Sequence, residues 1–194
     1  MLSQITIVIA AYLLGSVPTG LLLGKAFGVD IRTTGSGNIG ATNVYRTLGR
    51  KVGIITLVCD CLKGLIPVLA ARWLALPDVW VAVAGLAAFF GHVYTVFLGF
   101  KGGKGVATAL GVFLGISPLA VLIALAIFAV VLTKWRYISL ASISAAAAMP
   151  VIIAIADRRP LMVVMTLLIA AQVILKHRDN IARLRAGNEN RFKA

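Results

Sequence analysis

The sequence predicts an all-α, polytopic integral membrane protein with seven transmembrane helices, some short or broken. The N-terminus is expected outside and the C-terminus in the cytoplasm. Three observations carry this reading. Of the 194 residues, 60% are hydrophobic and only 13% are charged. The mean hydropathy is +0.99. The 19 Lys and Arg are crowded into a few polar segments between long apolar runs. Soluble domains average about 45–50% apolar and about 25% charged residues, so lipid is the solvent for most of this chain.

A spanning helix takes about 20 mostly apolar residues. Runs of that kind cover 5–24, 52–74, 79–98, 118–132, 137–156 and 161–175. No Lys or Arg precedes Lys25, so the first run reads as a retained span rather than a cleaved signal. Between the third and fourth runs lies 106–116, VATALGVFLGI, which is short for a full crossing. It is either a short or tilted seventh span or half of a re-entrant hairpin closed at Ser117-Pro118.

Charge favours seven spans. With the N-terminus outside, one face receives Lys25, Arg32, Arg46, Arg50, Lys51, Lys101, Lys104, Lys134, Arg136 and the six basic residues from Lys176 to Lys193. The other face receives only Arg72, Arg158 and Arg159, and Lys63 falls inside a span. Omitting the short run would put the basic tail opposite the first loop, against the positive-inside rule. Five spans with a re-entrant hairpin keep the same sidedness. The polar material thus lies on the cytoplasmic face, in the 25–51 loop, the 99–105 and 133–139 turns and the 176–194 tail. One compact membrane domain is expected over 1–194.

The net charge of +13 reads as topology and attraction to anionic lipid. No basic arm with interleaved aromatics lies outside the apolar runs, which argues against a nucleic-acid partner. Cys59 and Cys61 are too close to staple a fold and lack zinc-site partners, so they read as packing residues.

The stretch TTGSGNIGATNVYR, residues 33–46, contains G-x-G-x-x-G at Gly35, Gly37 and Gly40. A dinucleotide fingerprint would have to follow a strand and open a βαβ helix. Here a membrane helix precedes it, and no parallel sheet has room to form. Glycines also let backbone N–H groups converge on an anion. A short helix from near Asn38 to Gly49 would put Asn38, Thr42 and Arg46 on one face, a phosphate-binding arrangement. A hydrated loop merely capped by Asn and Thr is the alternative.

The second polar stretch, GHVYTVFLGFKGGKGVATALG, ends a span and gives Lys101-Gly102-Gly103-Lys104-Gly105 before the next helix. It is not a Walker A loop, because Leu98 and Gly105 occupy positions that need Gly and Ser or Thr. Three glycines and two lysines at a helix N-terminus still suit an anion, or a basic turn against acidic lipid. His92 reads as a hydrogen-bonded packing residue. In the tail, KHRDNIARLRAGNENRF, the last helix is expected to run to Ala186 with Gly187 as its stop. His177, Asn180 and Leu184 would then share a face aimed at the first two loops. Arg178, Arg183 and Arg185 fit an interfacial end. Arg136, Ser139 and Ser142 open the sixth long run on the same side. Asp60 and Lys63 are one turn apart inside a span, where charges default to a functional hypothesis, although a structural ion pair or a snorkelling lysine is equally consistent.

Together GSGNIGATNVYR, GHVYTVFLGFKGGKGVAT and HRDNIARLRAGNE resemble the three signature blocks of the bacterial acyl-phosphate:glycerol-3-phosphate acyltransferases, the PlsY family. The likeness in length, span pattern and block order covers essentially the whole chain. The resemblance implies transfer of a fatty acyl group from acyl phosphate to the 1-hydroxyl of sn-glycerol 3-phosphate. The products are 1-acylglycerol 3-phosphate and phosphate, in the first acylation of phospholipid biosynthesis. It implies no acyl-CoA, carrier protein, metal or other cofactor. The partners would be the two substrates and membrane lipids, with the oligomeric state left open. The location would be the bacterial inner membrane, with the active site on its cytoplasmic face.

By the same resemblance Ser36, His177, Asn180 and Lys104 are the catalytic candidates. Asn38, Thr42, Asn43, Arg46, Lys101, Gly102, Gly103, Gly105 and Glu189 are candidates for binding substrate and phosphate, and Ser142 joins them from its own cluster with Arg136 and Ser139. Arg46 and Lys104 would neutralise phosphate, and the amides of the 102–105 turn would cradle one. Ser36 would orient a substrate, and His177 with Asn180 would position glycerol phosphate and its hydroxyl. Asp30 and Asp179 are expected to be surface residues. The H-x-x-x-x-D pattern of other glycerol-phosphate acyltransferases is absent, since Phe97 and Ala182 stand five residues after the two histidines. An acyl phosphate is activated enough for direct attack, with the proton passing to the donor's phosphate or to His177. A transporter or channel for a phosphate-bearing solute is the competing class; a non-catalytic lipid-binding subunit is a third.

Overall fold

The computed structural model describes residues 1–192; Lys193, included in the basic tail above, lies outside the described residues. Among the described residues there are ten α-helices and no strand. The chain divides into two compact units, Met1–Ile116 and Ser117–Ala194.

The first unit holds α1 (Leu2–Ser16), α2 (Thr19–Ala26), α3 (Ala41–Leu48), α4 (Arg50–Trp73), α5 (Asp78–Val93) and α6 (Val106–Ile116). The expected first span over 5–24 is broken, and α1 and α2 meet at a 40° bend. Pro18 has no N–H to continue the ladder, and it forces the preceding residue away from helical geometry. Val17 accordingly sits at φ −58°, ψ 115°. The third span runs over Asp78–Leu98 as expected, but its α-helix stops at Val93 and a 3-10 turn completes it. The Thr95 hydroxyl donates to the carbonyl of Ser16 at 2.5 Å and accepts from the Phe97 amide. A single 3-10 turn, Val96–Leu98, follows. Glycines and alanines let these helices approach closely. The Gly15 position abuts the Ala88 carbonyl between α1 and α5, and Gly111 abuts the Cys61 carbonyl between α6 and α4.

The short run 106–116 forms α6, of 11 residues. At 1.5 Å per residue that is roughly half the ~30 Å of a hydrocarbon core. Its C-terminal carbonyls are met by Arg72, whose Nη1 donates to the Gly115 oxygen at 2.6 Å.

The second unit holds α7 (Pro118–Trp135), α8 (Ile138–Ala156), α9 (Pro160–Lys176) and α10 (Arg178–Arg185). Ser117 and Pro118 start α7 as a capped helix with proline in its first turn. The expected continuous last helix bends by 55° between α9 and α10. The bend is at His177, whose ring nitrogen Nδ1 lies 2.7 Å from the Val173 carbonyl. A polar side chain inserted into the helical ladder is a recognised cause of a kink. Gly187, at φ +72°, stops the chain after α10 as expected.

Among the described residues four helices are individually long and apolar enough to cross a bilayer, α5 counting with its 3-10 turn as Asp78–Leu98, or six spans if each bent pair counts as one, with α6 in addition as a shorter apolar helix. The fold is that of an all-α, polytopic integral membrane protein.

Candidate active site

In the first unit the glycine-rich segment forms a loop before α3. The helix begins at Ala41, not near Asn38, so Asn38 does not share a helical face with Thr42 and Arg46. Its side-chain oxygen instead accepts from the Gly40 amide at 2.8 Å, making a turn of its own. Thr42 and Arg46 do lie one turn apart on α3, Arg46 exposed and Thr42 half-buried.

Asn43 is buried and holds the loop together. Its Oδ1 accepts from the Ser36 amide at 2.8 Å, and its Nδ2 donates to the carbonyls of Ile31 and Thr34 at 2.9 and 3.1 Å. Gly35 sits at φ +59°, and a Cβ there would collide with Asn43 Oδ1, so only glycine lets the amide lie across the loop. The Ser36 side chain is left on the exposed rim. Asp30 is also on that rim, and Arg32 donates to its carboxylate at 2.6 Å. Those hydrogen bonds pull the Asp30 pKa down to about 2.

The second segment folds back on the end of α5. The Gly102 amide donates to the Val93 carbonyl at 3.2 Å, and the Gly103 amide to the His92 carbonyl at 3.1 Å. This corrects the expectation that the amides of the whole 102–105 turn cradle phosphate. The last carbonyls of a helix lack internal partners, and here two of the turn's amides supply them. The amides that remain for an anion are those from Gly105 into the first turn of α6, beside Lys104, which is half-buried; Lys101 is exposed. Leu98 packs on the same apolar cluster as Ile31, Ile39 and Val44. The glycine-rich loop and Leu98, three residues before the KGGKG turn, therefore rest on one hydrophobic floor.

In the second unit the tail is clamped by Glu189, which is 8% exposed. Its Oε1 accepts from Asn180 Nδ2 at 2.7 Å and from Ser139 Oγ at 2.9 Å, and its Oε2 from Arg183 Nε at 2.7 Å. Burial alone would raise its pKa. The hydrogen bonds from Asn180, Arg183 and Ser139 outweigh that, so the carboxyl is held below its ordinary value. Ser142 is buried one turn beyond Ser139. Phe192 closes the strap, its amide donating to the Arg136 carbonyl at 2.6 Å. The His177 contact with Val173 puts the proton of a neutral imidazole on Nδ1, making Nε2 the basic nitrogen. Asn180 and His177 are both buried at the start of α10. Sequence reasoning undervalued Ser139 and Arg183; the only signal for them was a buried-type carboxylate, Glu189, in a tail that needed donors.

Among the described residues no three His, Cys, Asp or Glu side chains gather as a metal site would require.

A family model described as glycerol-3-phosphate acyltransferase matches residues 5–187. The glycerol-3-phosphate acyltransferase of Geotalea daltonii is 72% identical over 193 residues, covering 100% of both chains. That of Aquifex aeolicus is 46% identical over 187 residues, covering 96% of this chain and 97% of its own. The crystal structure of PlsY, an integral membrane glycerol 3-phosphate acyltransferase, in its glycerol 3-phosphate form superposes with a TM-score of 0.94. The two are 44% identical, over 98% of this chain and 96% of that one. The same enzyme's lysophosphatidic acid form gives a TM-score of 0.92 at 43% identity. The chain belongs to the glycerol-3-phosphate acyltransferase family.

Proposed function

We infer that this protein transfers a fatty acyl group from acyl phosphate to the 1-hydroxyl of sn-glycerol 3-phosphate, releasing lysophosphatidate and phosphate. The observation that carries the reading is the shared floor of the first unit. The glycine-rich loop rests on it, the cationic KGGKG turn starts three residues after Leu98, which packs on it, and both substrates bear phosphate. Arg46 and Lys104 neutralise substrate phosphate, while the amides from Gly105 into α6 take phosphate oxygens. Ser36, Asn38 and Thr42 line the rim and orient substrate. Asn43 keeps the loop in shape.

In the second unit His177 and Asn180 position the acceptor hydroxyl, with Ser142 beside them. Glu189 orients Asn180 and is itself saturated by protein donors. The alcohol attacks the acyl carbon directly, the C–O bond to phosphate breaks, and the alcohol proton passes to the departing phosphate or to His177 Nε2. No acyl-enzyme is formed. Preorganised charge is usually the largest contribution in such reactions, so the cations outrank the base.

The chain works as a single acyltransferase domain of 194 residues. It has seven spans in the bacterial inner membrane, α6 being a short one and each bent pair one span, with the reacting groups on the cytoplasmic face. Charge sidedness supports this arrangement. Purified protein given acyl phosphate and glycerol 3-phosphate should form lysophosphatidate and phosphate, and acyl-CoA should not replace acyl phosphate. Product from acyl-CoA, or none from acyl phosphate, would refute the reading.

A further inference from the structure

The first unit contains a buried charged cluster that the reaction above does not use. Asp60 and Lys63 form an ion pair of 2.7 Å within α4, with their side chains 2% and 4% exposed. Lys63 Nζ also donates to the Val17 carbonyl at 2.9 Å, at the break between α1 and α2. On its other side the same Asp60 oxygen, Oδ1, lies 3.9 Å from Nδ1 of buried His92. His92 in turn touches the KGGKG turn twice. Its carbonyl takes the Gly103 amide, and a Cβ on Gly103 would strike its Nε2.

These contacts form a chain: Val17, Lys63, Asp60, His92, Gly103. One end is the bend from which α2 leads into the glycine-rich loop. The other end is the turn that carries Lys104. Replacing a buried ion pair with apolar groups is often neutral or stabilising, so fold stability is a weak reason for this one. What the pair supplies beyond its own helix is a grip on a carbonyl of the broken first span and an approach to an imidazole on α5. Intramembrane ionisable groups with such partners point to function.

We propose that Asp60, Lys63 and His92 are positioning residues, a buried hub that sets the glycine-rich loop and the KGGKG turn in register for phosphate. This rests on the reading that Lys104 and its turn bind substrate phosphate. The hub touches neither reacting atom, so its loss is felt in substrate binding first.

The test uses the full-length protein in detergent. The double variant Asp60→Asn/Lys63→Met removes both charges without stranding one. It should melt no lower than wild type, yet raise KM for a phosphate-bearing substrate about tenfold, with kcat changed much less. His92→Leu should raise KM likewise, and His92→Gln, whose amide still reaches toward Asp60, should recover most of the loss. If the double variant does not fold, the His92 pair decides the matter alone. Wild-type KM values in His92→Leu, or equal loss in His92→Leu and His92→Gln, overturn the proposal. Lys104→Ala measured alongside separates the two ideas. Wild-type kinetics there refute the phosphate reading itself, whereas a crippled Lys104→Ala beside normal hub variants refutes only the hub.

Discussion

The two units solve the problem of presenting polar groups at a membrane in different ways. The first uses backbone: Gly35 and Gly37 at positive φ, a loop tied by one buried asparagine, and a turn whose amides are shared between α5 and the mouth of α6. The second uses side chains: one buried carboxylate receives Ser139, Asn180 and Arg183 and so fixes an amide beside an imidazole. A glycine-built cradle suits a diffuse, multi-oxygen anion such as phosphate. A carboxylate-anchored amide and ring suit a single hydroxyl, which needs one oriented acceptor. In the proposed reaction these would be two separate tasks, charge neutralisation and placement of the nucleophile.

If that contrast is right, the largest effects belong to the cations of the first unit. Arg46→Ala and Lys104→Ala should each lower turnover by about 10²–10³-fold, the scale seen when a charge-stabilising donor is lost. Near-normal rates in either would erase the contrast. Next come the residues that hold each cradle. Asn43→Leu strands the Ser36 amide and the buried Ile31 carbonyl, each worth about 1–3 kcal/mol when left unsatisfied, while the Thr34 carbonyl keeps the Gly37 amide. It should melt lower and lose activity, which a thermal unfolding curve with a parallel assay would check.

Glu189→Ala should behave similarly in the second unit, melting lower and losing activity. Acid offers a gentler probe of the same clamp. The Glu189 pKa is lower in the folded protein, so the clamp's stability is full above the unfolded value of about 4.3 and fades as pH falls through the folded one. Anisotropy of a fluorophore on position 190 should therefore hold steady from neutral pH down to the ordinary carboxylate range and drop only below it. Loss near pH 6 would mean that Glu189 is not held this way. The smallest effect is expected at Asp30→Asn, on the exposed rim, where activity should stay within about twofold of wild type, as surface ion pairs contribute little.

Much of this architecture was legible in the chain. Apolar runs and turn residues located every helix body, and α6 began and ended where its flanking Gly105 and Ser117-Pro118 said it would. The breaks were less visible. Pro18 was there to be read, but a continuous run of hydropathy over 5–24 concealed its effect. The bend at His177 depends on a ring bonding back to Val173, which no spacing reveals. The polar blocks stood out because they are improbable in a greasy sequence. Their internal economy did not: that Gly102 and Gly103 give their amides to α5, or that Asn43 and Glu189 spend their polar atoms on the protein, follows only from tertiary contact. The Asp60–Lys63 pair was visible as a helical spacing, whereas its reach to Val17 and toward His92 was not.

The most direct measurement is a side-by-side comparison of kcat for Lys104→Ala and His177→Ala, each in folded, purified protein with saturating acyl phosphate and glycerol 3-phosphate. Neutralisation of phosphate by the first unit should dominate, so the lysine variant should lose at least about ten times more turnover than the histidine variant. An equal or greater loss in His177→Ala would show that proton transfer by the second unit limits the reaction, contrary to the division of labour drawn here.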